Sequence, residues 1–366
     1  MKKILWIGAI AVFIMLHACK GRITAVTEDE PGEPGNRNYV WKLDTLDMPM
    51  NYISSVWGAS PNEVWAVGAG GTEKDRLMHY DGEKWSTFIN PSKEPIYCTG
   101  DVIFGFAQDD VWMGGGSGWL EHGAGIWHYD GTNWSQHTVY DVEGSYHIEV
   151  RDIWGPSPRD IYACGSIGFH DGIISFWRGF VLHYDGRSWK ELVRANFDSQ
   201  FLTIRKENDK IFISSYSYKI NYVSPDVMDT PNLEFYQLTG KKLERIYSNK
   251  ESLINWASLF TINGKVYFVI TNDVYRYVNG MLIKVFTIDR ENFDFQICGR
   301  NESDLFLSMK DGLAHYNGTD IKYLYRFPKY SFMLMKNAVL FEKEVFFCGT
   351  TRTDFSNLVL HGVLNE

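Results

Sequence analysis

Little in this 366-residue chain supports a metal centre, a phosphate loop or a nucleic-acid surface. It has five cysteines and no CxxC pair, which excludes a zinc knuckle at the sequence level. The glycine-rich runs at 68–71 and 114–118 are followed by neither Lys-Ser/Thr nor a helical pattern, which argues against a P-loop. Acidic residues outnumber basic ones by 45 to 36, and no basic stripe offsets the net charge of −9, so phosphate backbones are repelled and nucleic acid is not an expected partner. No apolar run reaches the about 20 residues that a membrane-spanning helix needs. No stretch sustains a capped 3.6-residue apolar period, so a helix-rich fold finds no support. No cofactor, metal ligand or catalytic residue is assigned.

The first thing present is an export signal. Lys2 and Lys3 precede an uncharged run of 13 residues, Ile4 to Leu16, the length of a signal's apolar region. The following Leu16-His17-Ala18-Cys19 resembles the bacterial lipobox. The resemblance implies cleavage after Ala18, acyl chains on Cys19, and attachment to a membrane, with the outer membrane of a cell envelope as the expected place. The alternative is an ordinary cleaved signal in which Cys19 is incidental. Loss of Lys2 and Lys3 would take the charge from −9 to −11. Residues 20–38 are polar and rich in Gly and Pro, which reads as a tether. The expected organisation is a signal over 1–18, lipidated Cys19 and tether over 19–38, and a folded body over 39–366.

Internal repetition decides the body's fold. WGASPNEVWAVG (Trp57 to Gly68) is followed by HYDGEKW (His79 to Trp85). FGFAQDDVWMGG (Phe104 to Gly115) is followed by HYDGTNW (His128 to Trp134), and WGPSPRDIYACG (Trp154 to Gly165) by HYDGRSW (His183 to Trp189). A weaker copy, CGRNESDLFLS and HYNGTDI, starts at Cys298 and His315. The first three histidines are 49 and then 55 residues apart, close to the about 40–50 residues of common propeller blades. Each copy reads as four short strands, with Asp-Gly or Asn-Gly predicting a type I′ hairpin before the last. Worn copies are read over 200–238, 255–287 and 332–364. In the first of these the strands are placed at Phe201–Ile204, Lys210–Ser215, Lys219–Val223 and Leu233–Leu238. The last unit has three strands, and Tyr39–Leu43, with Trp41 placed like Trp85, supplies the fourth. The prediction is an all-β, seven-bladed β-propeller closed by its N-terminal strand, with six blades as the alternative count.

The pattern W-G-x-S-x-x-D/E-V-W-A-V-G followed by H-Y-D-G-x-x-W resembles propeller repeats of bacterial exported proteins and lipoproteins. It is also similar to repeats of two-component sensor propellers, where a Gly-Leu-x-x-Tyr turn like Gly312–Tyr316 recurs. The resemblance covers most of the body and implies a fold and an export setting. It implies no chemistry.

His79, His128, His183 and His315 recur at one repeat position, as do Trp85, Trp134 and Trp189, so both sets read as structural. Cys164, Cys298 and Cys348 fall at strand positions and read as buried thiols. HYDG resembles part of the sialidase Asp-box, but its Asp and Gly are adjacent and no Arg-rich cluster accompanies it. The non-repeating segments carry more information. Connections at Gly68–Leu77, Gly114–Ile126, Gly165–Phe180 and Gln136–His147 are long and emerge on one face, predicting a recognition rim over blades 1 to 3. Trp119, Glu121, His122, Tyr140, Tyr146, His170, Trp177 and Arg178 are its candidate ligand-binding residues. The rim suits a glycan or a partner protein of the envelope. The alternatives are a scaffold role, and a carbohydrate-active enzyme with acid/base groups among Glu121, Asp141, Glu143, His147, His170 and Asp171.

Overall fold

The computed structural model describes residues 32–46, 50–70, 77–92, 96, 99–116, 123–172, 174–217, 220–221, 232–249, 257–327, 332–351 and 356–365. These form seven antiparallel sheets of four strands, one of them with a short fifth. Blade 1 is Met50–Ser60, Glu63–Gly70, Leu77–Tyr80 and Trp85–Thr87. Blade 2 is Val102–Ala107, Asp110–Gly116, Ala124–Tyr129 and Trp134–Tyr140. Blade 3 is His147–Ser157, Asp160–His170, Ile174–Tyr184 and Trp189–Arg194. Blade 4 is Gln200–Glu207, Lys210–Ser217, Asn232–Thr239 and Lys242–Ser248. Blade 5 is Ala257–Ile262, Lys265–Ile270, Asp273–Val278 and Met281–Thr287. Blade 6 is Phe293–Asn301, Asp304–Met309, Gly312–Tyr316 and Ile321–Arg326. Blade 7 is Phe332–Leu340, Glu344–Thr351, Asn357–Leu364 and, from the N-terminal end, Tyr39–Leu46.

The first strands of successive blades touch in order, and that of blade 7 returns to that of blade 1. The sheets therefore stand radially about an axis, and the count is seven. Each contact between neighbouring blades holds one apolar cluster: blades 1 and 2 share Trp65, Val67, Ile103, Val111 and Trp127, while blades 7 and 1 share Phe346, Cys348, Ile53 and Val64. Both faces of every blade are thus inside, which is why a second strand such as Asp110–Gly116 is buried at six consecutive positions instead of alternating.

The repeat letters now have physical roles. The carboxylate that opens the second strand faces the histidine of the third: Glu63–His79, Asp110–His128, Asp160–His183 and Asp304–His315 lie 2.7–2.8 Å apart. A fifth pair, Glu344–His361 at 2.8 Å, occupies blade 7. Each imidazole packs on the next aromatic of the second strand, from 4.0 Å between centroids at Phe346–His361 to 4.8 Å at Phe306–His315. Burial alone would raise the Asp304 carboxyl, but hydrogen bonds from His315 and Arg300 outweigh it and hold it below its ordinary range. The recurrent tryptophans pack at a tilt against the tyrosines of HYDG, at 5.3 Å and 37° for Tyr80–Trp85.

The HYDG turn differs from the expected type I′. Only its glycine has positive φ, 94° at Gly82, and Tyr80 pairs with Trp85 across four turn residues. Asp81 Oδ1 instead accepts the N–H groups of Glu83 and Lys84, an Asx-type bond that replaces the strained second left-handed residue. Asn317 does the same for Thr319 and Asp320. Asn263-Gly264 and Asn279-Gly280, with positive φ at both residues, are the true I′ turns.

Two strand assignments are corrected. Lys219–Val223 is not the third strand of blade 4. The third and fourth strands are Asn232–Thr239 and Lys242–Ser248, joined at Gly240, whose φ is 60°. Of the misplaced segment, Ile220–Asn221 pairs with Ile174 and Ser175 of blade 3. A two-residue strand carries no mark of which sheet it joins.

Ring closure follows the prediction. Tyr39 pairs with Leu364, Trp41 with Gly362 and Leu43 with Leu360, so no sheet edge is left between the chain ends. Residues 32–38, read as the end of the tether, run along the turns of blade 6. Gly35 donates its N–H to the Ser303 carbonyl, and Arg37 reaches the Asp320 carboxylate at 2.6 Å and His315 Nδ1 at 3.1 Å. Beneath this strap His315 is fully buried.

Candidate functional site

The top face carries the connections between second and third strands and between blades. Trp119, Glu121 and His122 lie outside the described residues, as does Cys98. In blade 3 the expected long connection over 165–180 is corrected. Strands Asp160–His170 and Ile174–Tyr184 continue through it and leave three residues at the tip, where Asp171 Oδ1 accepts the Ile174 N–H. Gly165 and Gly168 lie within the first of these strands. They are small because rings and backbone lie against them. In blade 2, Trp134–Tyr140 extends through part of the connection assigned to 136–147.

That hairpin sorts the candidates by face. Residues 175, 177 and 179 alternate with 176, 178 and 180. Trp177 lies opposite Gly168, and a Cβ on Gly168 would stand 2.8 Å from the Tyr146 ring and 3.0 Å from the Trp177 ring. The missing side chain lets both rings settle there, with centroids 5.9 Å apart at 64°. Tyr146 keeps 53% of its surface exposed, whereas Trp177 is half-buried. His170 is exposed on the same face nearer the tip, its Nδ1 3.3 Å from the Ser175 hydroxyl. Arg178 points to the other face and covers the Phe176 ring at 5.0 Å.

Tyr140 is elsewhere. It bridges to the outer strand of blade 3, donating to Glu191 and receiving Arg194 at 3.1 Å. Burial, then the Glu191 carboxylate, push its hydroxyl up from its ordinary value. It serves as a clasp between blades 2 and 3. Asp141 and Glu143, named for the enzyme reading, are exposed in the connection after it, with Asp141 Oδ1 accepting the Val142 N–H.

The structure adds Glu149 and Arg151, beside His147 of the enzyme reading. His147, Glu149 and Arg151 are alternate residues on the inner strand of blade 3. His147 Nε2 is 3.7 Å and Arg151 Nη2 2.6 Å from the Glu149 carboxylate. The His147 ring also meets Trp177, at 5.8 Å and 82°. A β-bulge falls at Arg151, between the paired residues Val150 and Asp152, and bulges re-aim side chains at such places. Tyr52 of blade 1 lies within electrostatic reach of the same group. It is 40% exposed, yet shielding of its hydroxyl and the negative charges of Asp101 and Glu149 push it up from its ordinary value, with Arg151 opposing. The legible signal was H-x-E-x-R on an inner strand, where an ordinary blade places apolar residues.

Asp101 is held in place by glycine. Its Oδ2 accepts the Thr99 hydroxyl at 2.7 Å and the Gly116 N–H at 3.2 Å. A Cβ on Gly115 would stand 1.4 Å from the Thr99 carbonyl oxygen, so the glycine run gives the 99–101 backbone its seat. Below this level a cavity of about 310 Å³ follows the axis, lined by inner-strand residues of all seven blades, including Trp57, Asp152, Arg205 and Cys298. Enclosure by protein pushes the Cys298 thiol up to about 12, and the fully buried Cys348 thiol also reaches about 12. Cys164 and Cys348 are buried reduced thiols as expected, whereas Cys298, expected to be buried, is half-buried because its strand lines the axial cavity. Among the described residues no group of three or more His, Cys, Asp or Glu is placed to hold a metal ion.

No family model matches the sequence, and no curated protein is significantly similar to it. Solved structures are similar in shape. The extracellular domain of a hybrid two component system, BT4673 from B. thetaiotaomicron, has a TM-score of 0.54 at 15% identity, over 88% of this chain and 39% of that one. An extracellular domain described as that of a one component system, BT4673 from the same organism, gives 0.52 at 14% identity, over 88% and 40%. The likeness is one of fold. This chain spans about two fifths of the length of those two chains.

Proposed function

We propose that the protein is an exported, lipid-anchored propeller of the cell envelope that binds a glycan at the top of blades 1 to 3. The observation that carries this reading is the exposed Tyr146 ring, set at an angle to Trp177, whose other neighbour His147 lies 3.7 Å from the Glu149 carboxylate paired with Arg151. Sugar rings offer apolar C–H faces to aromatic rings and hydroxyls to fixed donors and acceptors, and this site supplies both. The lipobox-like Cys19 supports anchoring, and the extracellular propellers of like fold agree with a place outside the cytoplasm.

Trp177→Ala and Tyr146→Ala should each weaken glycan binding about tenfold or more, close to 1.4 kcal/mol, with unchanged thermal unfolding for Tyr146→Ala. A glycan array followed by calorimetry on a soluble form starting at Lys20 reads this out. Full binding by both variants removes the site from consideration. Anchoring is checked separately: Cys19→Ser should move the protein from the membrane fraction to the soluble extracytoplasmic fraction, and an unmoved protein refutes lipidation at Cys19.

A further inference from the structure

We infer that the ligand is an uncharged pyranoside, and that the site selects against sugars bearing carboxylate or sulfate groups. This inference rests on the glycan reading and names the class of sugar within it.

Charge decides the class. Arg151 is the cation of the group, and at 2.6 Å it is already spent on Glu149. Their side chains are only 28% and 16% exposed, so the pair is partly removed from solvent screening. The Tyr52 hydroxyl feels the negative charges of Asp101 and Glu149 and, among the described residues, the opposing charge of Arg151. Asp101, Glu149 and Arg151 together carry one negative charge. A sugar carboxylate would have to displace Glu149 from Arg151, or lie beside two carboxylates in a shielded place, and like charges so placed repel. The whole chain adds to the effect, since its net charge of −9 repels anions at longer range.

A neutral sugar meets none of these costs. The Glu149 carboxylate can accept from one hydroxyl while Arg151 donates to its neighbour, and the ion pair stays intact. The geometry also favours a ring over an open chain. Tyr146 and Trp177 meet at 64°, and His147 crosses Trp177 at 82°. A flat apolar face can rest on one ring while its edge abuts another. Gly168 fixes the corner by keeping the space under both rings empty of side chain.

The test compares neutral oligosaccharides with their uronic and sulfated counterparts of the same backbone, by calorimetry on the chain from Lys20 onwards. Neutral forms should bind at least about tenfold more tightly, and their affinity should change less than about twofold over a tenfold rise in salt, because no net charge is neutralised. Glu149→Gln should narrow the discrimination against uronates to within about threefold, by removing the repelling charge while keeping an acceptor. Because Glu149 is partly buried, its melting temperature is measured alongside. Tyr146→Ala, an exposed change, gives the independent control that binding occurs at this corner. Acidic sugars that bind more tightly in a Tyr146-dependent manner would overturn the inference and leave the glycan reading standing. Discrimination unchanged in folded Glu149→Gln would overturn the charge argument. Absence of binding by sugars of either kind would overturn both.

Discussion

Asp152→Ala is expected to lower the unfolding free energy by about 3–5 kcal/mol, the cost of leaving a buried partner charge uncompensated. Asp152 is 4% and Arg205 13% exposed, and the two meet at 2.5 Å on the channel wall where blade 3 passes to blade 4. The same carboxylate oxygen accepts the Ile204 N–H at 2.9 Å. The substitution strands a guanidinium among inner-strand side chains and removes the acceptor of a buried amide. Ser55 does the corresponding work between blades 1 and 2, accepting the Ile103 N–H at 3.2 Å. The effect is measured by urea unfolding. Adding Arg205→Met should restore much of the loss, because the unpaired charge then disappears. A double variant as unstable as Asp152→Ala would show that the missing amide acceptor, and not the charge, sets the cost.

Trp41→Ala is expected to cost about 3 kcal/mol, in the range for truncating a packed aromatic. Its place in blade 7 is that of Trp85 in blade 1, but Gly362 stands where Tyr80 would be, and a Cβ on Gly362 would meet the Trp41 ring at 2.5 Å. The ring also packs against Tyr39 at 5.2 Å and Phe347 at 6.4 Å. Its loss therefore weakens the one junction where the two ends of the body are held without a covalent link. Unfolding should remain cooperative, with the midpoint lowered. A change within about 0.5 kcal/mol, ordinary for an exposed position, would mean that backbone pairing and the Arg37 strap suffice to close the ring.

Both predictions concern contacts between segments remote in sequence, and there the limits of sequence reading show. HYDG and the flanking tryptophans could be read because they repeat, and repetition marks a structural role; the Asp/Glu partner of each histidine emerged from the structure. His361 escaped because Gly362 replaces the expected tyrosine, the very change that makes room for Trp41. Trp177, Tyr146, Tyr140 and Arg178 all stand out by their surplus over the repeat. The strand alternation that separates these residues becomes visible only once the hairpin of blade 3 is seen to be strand. Glu149 and Arg151 were passed over because charge on a strand is usually a solvated face.

The sequence by itself determined that the body is all β, that four strands make its unit, and that its opening segment completes its final sheet. These properties follow from local chemistry: two-residue alternation, turn residues and recurring pairs act over a few positions and are written there. Which unit Ile220–Asn221 joins, which face Trp177 and Arg178 take, and the electrostatic grouping of Tyr52 with Glu149 and Arg151 were decided by tertiary structure alone. Those outcomes depend on where the ring brings separate blades and on how bulges and side-chain-free glycines let them approach, and no short stretch of chain carries that information.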